Sequence, residues 1–196
     1  MNLRDLYHHV VTDPMPEYDE RLGVAMTRQQ YVDYQNNKGH TYYLFLNKLV
    51  RRLKPKKILE LGTSIGRSGL FMMTALPETS KLVTVDIGSF LRTDLTGFAY
   101  DDRLKIVFGN DLEDGVFNEV GSGFDMMFSD SEHSYEHVVV EWEKYRHTLT
   151  NGAIVVMDDI RLNEGMSKFW DSLPYEKIDT GIDLHFSGFG VLQYTV

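Results

Sequence analysis

From Lys57 to Asp159 the chain repeats one pattern: a short apolar run ending in polar residues, then a stretch with helical spacing. The runs are KILEL (57–61), KLVTVD (81–86), LKIVFG (104–109), FDMMFSD (124–130) and GAIVVMDD (152–159). Strands so continuously apolar are buried on both faces, as in a parallel sheet with crossover helices. Right-handed crossovers then lead to a doubly wound α/β fold, with a mostly parallel sheet covered by helices on both faces. The expected helices are 69–76, 112–120, 132–149 and one that follows Asn163, and final strands are expected near 175–179 and 186–195.

Upstream, Thr27 caps an expected helix over 28–37 that Gly39 ends. A second helix, 41–53, carries the stripe Tyr42, Phe45, Leu46, Leu49, Val50 and Leu53. Residues 1–26 read as irregular because Pro14 and Pro16 interrupt them. The chain therefore divides into an N-terminal segment, 1–40, and a main domain, 41–196.

A hydrophobic content of 42% in 196 residues suffices for one core. The net charge of −9 argues against a nucleic-acid backbone or an anionic membrane as partner. Arg51, Arg52, Lys54, Lys56 and Lys57 cluster, but they follow a helix end, where cations suit the helix dipole. The absence of cysteine excludes disulfides, thiolate zinc sites and cysteine nucleophiles. No apolar run approaches the roughly 20 residues that span a bilayer. The N-terminus, acidic and broken by two prolines, is unlike a signal peptide, so a cytoplasmic protein is expected.

In doubly wound sheets, ligands bind beyond the carboxyl ends of the strands. Here those ends are polar: Glu60, Asp86, Asn110 with Asp111, Asp130, and Asp158 with Asp159. Each alone could cap a helix or make a turn, but one edge would hold them all. After Glu60 comes an E-x-G-x-x-x-G turn, Glu60 to Gly66, distinct from the G-x-G-x-x-G of dinucleotide enzymes. Asp86 ends the next strand, 24 residues beyond Gly62, where a carboxylate can accept both ribose hydroxyls of a nucleoside. Gly62 would admit the ligand to the backbone, and Gly66 would let the next helix pack closely.

ILELGTSIGRS, VTVDIG and VFGNDLED resemble the motifs of class I S-adenosylmethionine-dependent methyltransferases, a likeness covering about residues 40 to 196. It implies a seven-stranded, Rossmann-like sheet whose last strand is antiparallel. It also implies that the cofactor contacts Glu60, Gly62, Thr63, Ser64, Gly66, Ser68, Asp86 and Asp130. Where the family more often has Gly-Asp, this chain has Gly109-Asn110, so the adenine contact lies open between Asn110 and Asp111.

The stretch FSDSEHSYEHVVVEWEKYRHTLTNGAIVVMDDI is similar to metal-dependent small-molecule O-methyltransferases. The branch it most resembles contains the macrocin- and mycinamicin-type sugar methyltransferases and the cephalosporin-biosynthesis methyltransferase-like proteins. That likeness implies that Asp130, Asp158 and Asp159 hold Mg²⁺ or another divalent cation and that His133 is the base. The chemistry is coherent. A hydroxyl is a poor nucleophile, a hard cation lowers its pKa, and Mg²⁺ prefers oxygen ligands. An imidazole can accept a proton near neutral pH.

His133 is expected in the first turn of the helix after strand four, whereas His8, His9, His40, His137, His147 and His185 have no such context. Three alternatives remain: a metal-independent N- or O-methyltransferase, a non-catalytic cofactor-binding subunit, and a nicotinamide oxidoreductase, which the missing dinucleotide motif disfavours. The acceptor is expected to be a small molecule. Tyr7, Tyr18, Tyr31 and Tyr34 would cover its pocket or bury the interface of a homo-oligomer.

Overall fold

The computed structural model describes residues 2–36, 42–88, 93–181 and 184–196. Its seven strands are β1 (Lys57–Leu61), β2 (Lys81–Asp86), β3 (Leu104–Phe108), β4 (Phe124–Ser129), β5 (Leu149–Asp158), β6 (Glu176–Asp179) and β7 (Phe189–Gln193). They form one sheet in the order β3-β2-β1-β4-β5-β7-β6. The β1–β2, β1–β4, β2–β3 and β4–β5 pairs are parallel, and β7 runs antiparallel to both β5 and β6. The expected doubly wound sheet is present, and its direction of winding reverses at β1.

Alternation along the strands sends side chains into two cores. Ile58, Leu82, Met126, Phe128, Ile154 and Val156 pack with α1 (Leu3–Thr12), α3 (Tyr42–Leu53) and α4 (Arg67–Ala75). Leu59, Leu61, Val83, Met127, Val155 and Leu192 face α5 (Asp114–Val120), α6 (Tyr135–Tyr145) and α7 (Glu164–Ser172) on the other side. Each core removes large aromatic surface from water, the main stabilising effect available to such a chain. No helix among the described residues is long and apolar enough to cross a membrane.

The N-terminus corrects the sequence reading. Residues 1–26 are not wholly irregular, because α1 lies before both prolines. Asn2 caps it by accepting the Asp5 N–H at 2.8 Å, and Leu3, Leu6 and Val10 are buried against α3. A 3-10 turn follows at Glu20–Val24. At α2 (Arg28–Asn36) Thr27 does act as the cap: its Oγ1 accepts the Gln30 N–H at 3.2 Å, and Gln30 Oε1 accepts the Thr27 N–H at 2.8 Å. Gly39 and His40 lie outside the described residues, as does the side chain of Tyr34.

Other boundaries shift for local reasons. Asn110 accepts the Leu112 N–H at 2.9 Å, a turn that delays α5 to Asp114. A 3-10 turn over Arg146–Thr148 ends α6 early, so Leu149 begins β5 instead of closing the helix. The helix after β1 begins at Arg67, directly after Gly66.

Candidate active site

A cavity of about 500 Å³ opens at the carboxyl ends of β1 to β4, within the size range of small-molecule sites. Gly62, Asp86, Asp111, Asp130, His133 and His137 are among its walls, and none of its lining comes from the described residues between 1 and 40. Parallel register explains the convergence. Leu61 pairs with both Val85 and Ser129, so β1, β2 and β4 end level with one another.

The glycine turn follows β1 with three left-handed residues: Gly62 at φ 96°, Ser64 at φ 47° and Gly66 at φ 89°. Its glycines also answer to neighbouring parts of the chain. A Cβ on Gly62 would stand 1.9 Å from the Asp130 carbonyl oxygen, so Gly62 is demanded by the adjoining strand end. A Cβ on Gly66 would meet the Leu95 side chain at 2.7 Å, so that glycine makes room for the 3-10 segment Thr93–Phe98. Thr63 is buried with its Oγ1 2.6 Å from Thr84 Oγ1, where it ties the turn to β2.

Asp86 stands at the cavity wall with both carboxylate oxygens engaged. Its Oδ2 accepts the Ser64 N–H at 2.7 Å and its Oδ1 the Gly88 N–H at 3.0 Å. These bonds fix its orientation and leave each oxygen further acceptor capacity. Asp111, not Asn110, lines the cavity; it is buried, with Oδ2 2.9 Å from His137 Nε2. His137 also lies 3.7 Å from the buried Glu141, whose Oε1 accepts the Ser129 hydroxyl at 2.8 Å. Burial raises the Glu141 pKa, and the neighbouring Asp111 adds to that rise.

Glu60 and Ser68 lie behind the cavity wall. Ser68 Oγ donates to Glu60 Oε1 at 2.5 Å, while Glu60 Oε2 is buried with no hydrogen-bond partner. Burial pushes the Glu60 carboxyl up to about 7, with the Ser68 bond opposing and the charges of Asp130 and Asp86 adding. An orphaned acceptor beside a carboxylate-lined cavity suits the cationic amine of an amino-acid moiety, as S-adenosylmethionine carries.

Beyond Asp130 lies a second cluster. Ser129 of β4 pairs with Met157 of β5, which sets Asp130 beside Asp158. Asp159 follows in the left-handed region at φ 57°. Asp130, His133 and Asp159 bring ligand atoms within 4.8 Å of one another, and so do Asp158, Asp159 and His185. The expected trio Asp130, Asp158 and Asp159 is thus spread over two overlapping groups that share Asp159.

His133 is not in a first helical turn. It precedes Ser134, the N-cap of α6, and its carbonyl accepts the Asn163 Nδ2–H at 2.8 Å. Its Nε2 lies 3.4 Å from Asp130 Oδ1 and 3.3 Å from Asp159 Oδ2, buried and without a hydrogen bond. Burial disfavours its imidazolium, but Asp130, Asp159 and Asp158 together outweigh that and raise its pKa.

His185, expected to have no role, is buried with Nδ1 2.7 Å from Asp158 Oδ1 and 3.3 Å from Asp159 Oδ1. Burial raises Asp130 and Asp158, and His133 and His185 respectively oppose this. Burial also works against Asp159, yet contacts with His185 and Ser187 hold its carboxyl below the ordinary range. Crowded carboxylates beside an orphaned imidazole nitrogen form a donor set that fits a divalent cation. His137 and Glu141 share a helix face four residues apart, a signal the sequence did carry. His185 sits in a loop with no periodicity, and no sequence signal marks it.

Residues 59–160 match a family described as a methyltransferase domain. The catechol O-methyltransferase of Niastella koreensis is 24% identical over 164 residues, covering 78% of this chain and 71% of that protein. An O-methyltransferase from Bacillus cereus in complex with SAH shares the fold at TM-score 0.68 and 20% identity, covering 98% of this chain and 97% of that one. TomG from Streptomyces achromogenes, an O-methyltransferase involved in tomaymycin synthesis and solved in complex with SAM, matches at TM-score 0.70 and 20% identity, covering 100% and 97%. SAH-bound PaMTH1 of Podospora anserina matches at TM-score 0.70 and 16% identity, covering 98% and 95%. The family match spans more than half of the chain and runs from the glycine turn to the acids after β5, so the chain belongs to the methyltransferase domain family and is a class I S-adenosylmethionine-dependent methyltransferase.

Proposed function

We propose that the protein methylates a hydroxyl of a small-molecule acceptor and that a divalent cation assists the reaction. The observation that carries this reading is the convergence of Asp130, Asp158 and Asp159 at the ends of β4 and β5, with His133 Nε2 3.4 Å from Asp130 Oδ1 and 3.3 Å from Asp159 Oδ2. The relatives named for O-methylation, including the catechol enzyme, support the choice of oxygen as acceptor atom.

S-adenosylmethionine supplies an activated methyl group and leaves as a neutral thioether. Asp86 would accept the ribose hydroxyls, Asp111 would face the adenine, and Glu60 would receive the methionine amine. Asp130 and Asp159, with Asp158 close by, would hold the cation, which supplies stabilisation of developing negative charge on the acceptor oxygen. His133 takes the hydroxyl proton at Nε2 as the oxygen attacks the methyl carbon. Asp130 and Asp159 flank the imidazole and stabilise its charged form. Alignment of this kind can supply roughly 7–11 kcal/mol of the barrier.

A second reading keeps the cofactor and drops the cation. Its support is His185, which already sets a cationic partner against Asp158 and Asp159. Transfer of labelled methyl to a panel of catechols and sugar alcohols, with and without exhaustive chelation, separates the two. Chelation should abolish transfer and added Mg²⁺ or Mn²⁺ restore it; full activity after chelation would overturn the cation-assisted reading.

A further inference from the structure

We infer that His185 is a nitrogen ligand of the cation site, tilting that site from Mg²⁺ toward transition-metal ions. The inference rests on the cation-assisted reading above and adds the identity of the metal. Its geometric basis is the close approach of one imidazole nitrogen to two carboxylates at the end of β5. Nδ1 of His185 lies 2.7 Å from Asp158 Oδ1 and 3.3 Å from Asp159 Oδ1. Neighbouring ligand atoms around an octahedral ion with bonds of about 2.1 Å stand roughly 3 Å apart. The spacing that serves a hydrogen bond without metal therefore also serves as one edge of a coordination shell.

Several features separate His185 from His133. His133 lines the cofactor cavity, where an acceptor can reach it. His185 is buried against the two aspartates and is not among the lining residues, so it is not placed to take a substrate proton. Its ring is held by Tyr42 at 4.9 Å and Phe186 at 4.5 Å between centroids. Ser187 Oγ donates to Asp159 Oδ1 and lies 3.2 Å from His185 Nδ1, fixing both groups further. Asp159 offers a different oxygen to each imidazole, Oδ1 to His185 and Oδ2 to His133.

The donor type carries the consequence. Carboxylate oxygens alone suit Mg²⁺, whereas an imidazole nitrogen adds affinity along the series from Mn²⁺ through Co²⁺. The test is titration calorimetry of the full-length protein with Mg²⁺, Mn²⁺ and Co²⁺, before and after His185→Asn, which retains a polar side chain beside Asp158. The native protein should bind Co²⁺ more tightly than Mg²⁺. His185→Asn should lose about tenfold or more in Co²⁺ affinity, the scale set by perturbing a ligand, with far less change for Mg²⁺.

Pulsed EPR of the Mn²⁺-loaded native protein, with ¹⁵N-labelled histidine, reads nitrogen coordination without relying on a variant. A histidine coupling that His185→Asn removes supports the assignment. Equal losses for Mg²⁺ and Co²⁺, or a coupling unchanged by the substitution, would overturn it while leaving the cation-assisted reading intact. A native protein that binds none of the three ions would overturn both.

Discussion

A side-chain carbon placed on Gly62 would stand 1.9 Å from the carbonyl oxygen of Asp130. The contact joins the two halves of the site, because the glycine turn and the first acid of the proposed cation site meet there. The backbone confirms it: the Asp130 N–H donates to the Leu61 carbonyl at 2.8 Å. Gly62→Ala should therefore cost about 3 kcal/mol or more, from a backbone clash at a left-handed residue. Gly66→Ala should cost less, since its nearest obstacle is the Leu95 side chain and not a backbone oxygen. Thermal unfolding of both variants checks the order, and equal midpoints would refute it.

Glu60 predicts an unusual pH dependence. Its carboxyl is pushed up to about 7 by burial, from an ordinary value of 4.5. A carboxyl with a raised folded-state pKa stabilises the fold below its unfolded value, and the contribution is lost as pH rises through the folded value. Between about pH 5 and pH 8 the cofactor-free protein should lose on the order of 3 kcal/mol from this one group. Glu60→Gln should remove that dependence and raise stability at alkaline pH, while weakening the cofactor. Denaturant midpoints measured across the range decide it; a Gln variant with the native slope would reject the assignment.

How far the sequence revealed this site depends on how local each signal is. The strand ends were legible because an apolar run closing on an acid is a pattern of a few residues. The lengths of those runs also exposed the parallel sheet and its polar edge. Helix α1 was hidden because Pro14 and Pro16 drew attention to a break, though Leu3, Leu6 and Val10 carry helical spacing just before it. His185 was illegible for a different reason. It reaches Asp158 across the sheet from the loop between β6 and β7, a contact made by strand order alone. The glycines were recognised, but their steric demand was not, since only the folded chain puts the Asp130 carbonyl and Leu95 against them.

Asp86 should set cofactor affinity. Two backbone N–H bonds hold its carboxylate at the cavity wall, so its remaining acceptor sites would meet a bound ribose at little ordering cost. Hydrogen bonds to a charged group contribute about 1.5–3 kcal/mol each, so Asp86→Ala should weaken S-adenosylmethionine by tenfold or more. Titration calorimetry measures this directly. Native affinity in the variant would move the ribose elsewhere.

Asp159→Asn tests the cation cluster without disturbing the chain. Asn tolerates the left-handed backbone at φ 57°, so the fold should survive. The native protein should gain about 2.7 kcal/mol when a divalent ion is present at a hundred times its dissociation constant. The variant should gain little. A full ion-induced shift in the variant would remove Asp159 from the ligand set.

His133 is the proposed base. Its Nε2 is buried at the cavity, 3.4 Å from Asp130 and 3.3 Å from Asp159, and makes no hydrogen bond that would have to break before it accepts a proton. Because those carboxylates raise its pKa, the metal-free protein holds the imidazole charged beyond the ordinary histidine range. A base works only in its neutral form, so kcat/KM should climb with pH as the imidazole loses its proton and flatten above that point. His133→Ala should keep cofactor affinity and lose about 10²–10⁴ in kcat, with the ascending limb gone from the profile. His133→Gln, which keeps polarity without basicity, should fail equally. A variant that turns over at near-native rate, or that keeps the same ascending limb, would return His133 to the role of an ordinary residue before the α6 cap and leave the proton to another acceptor.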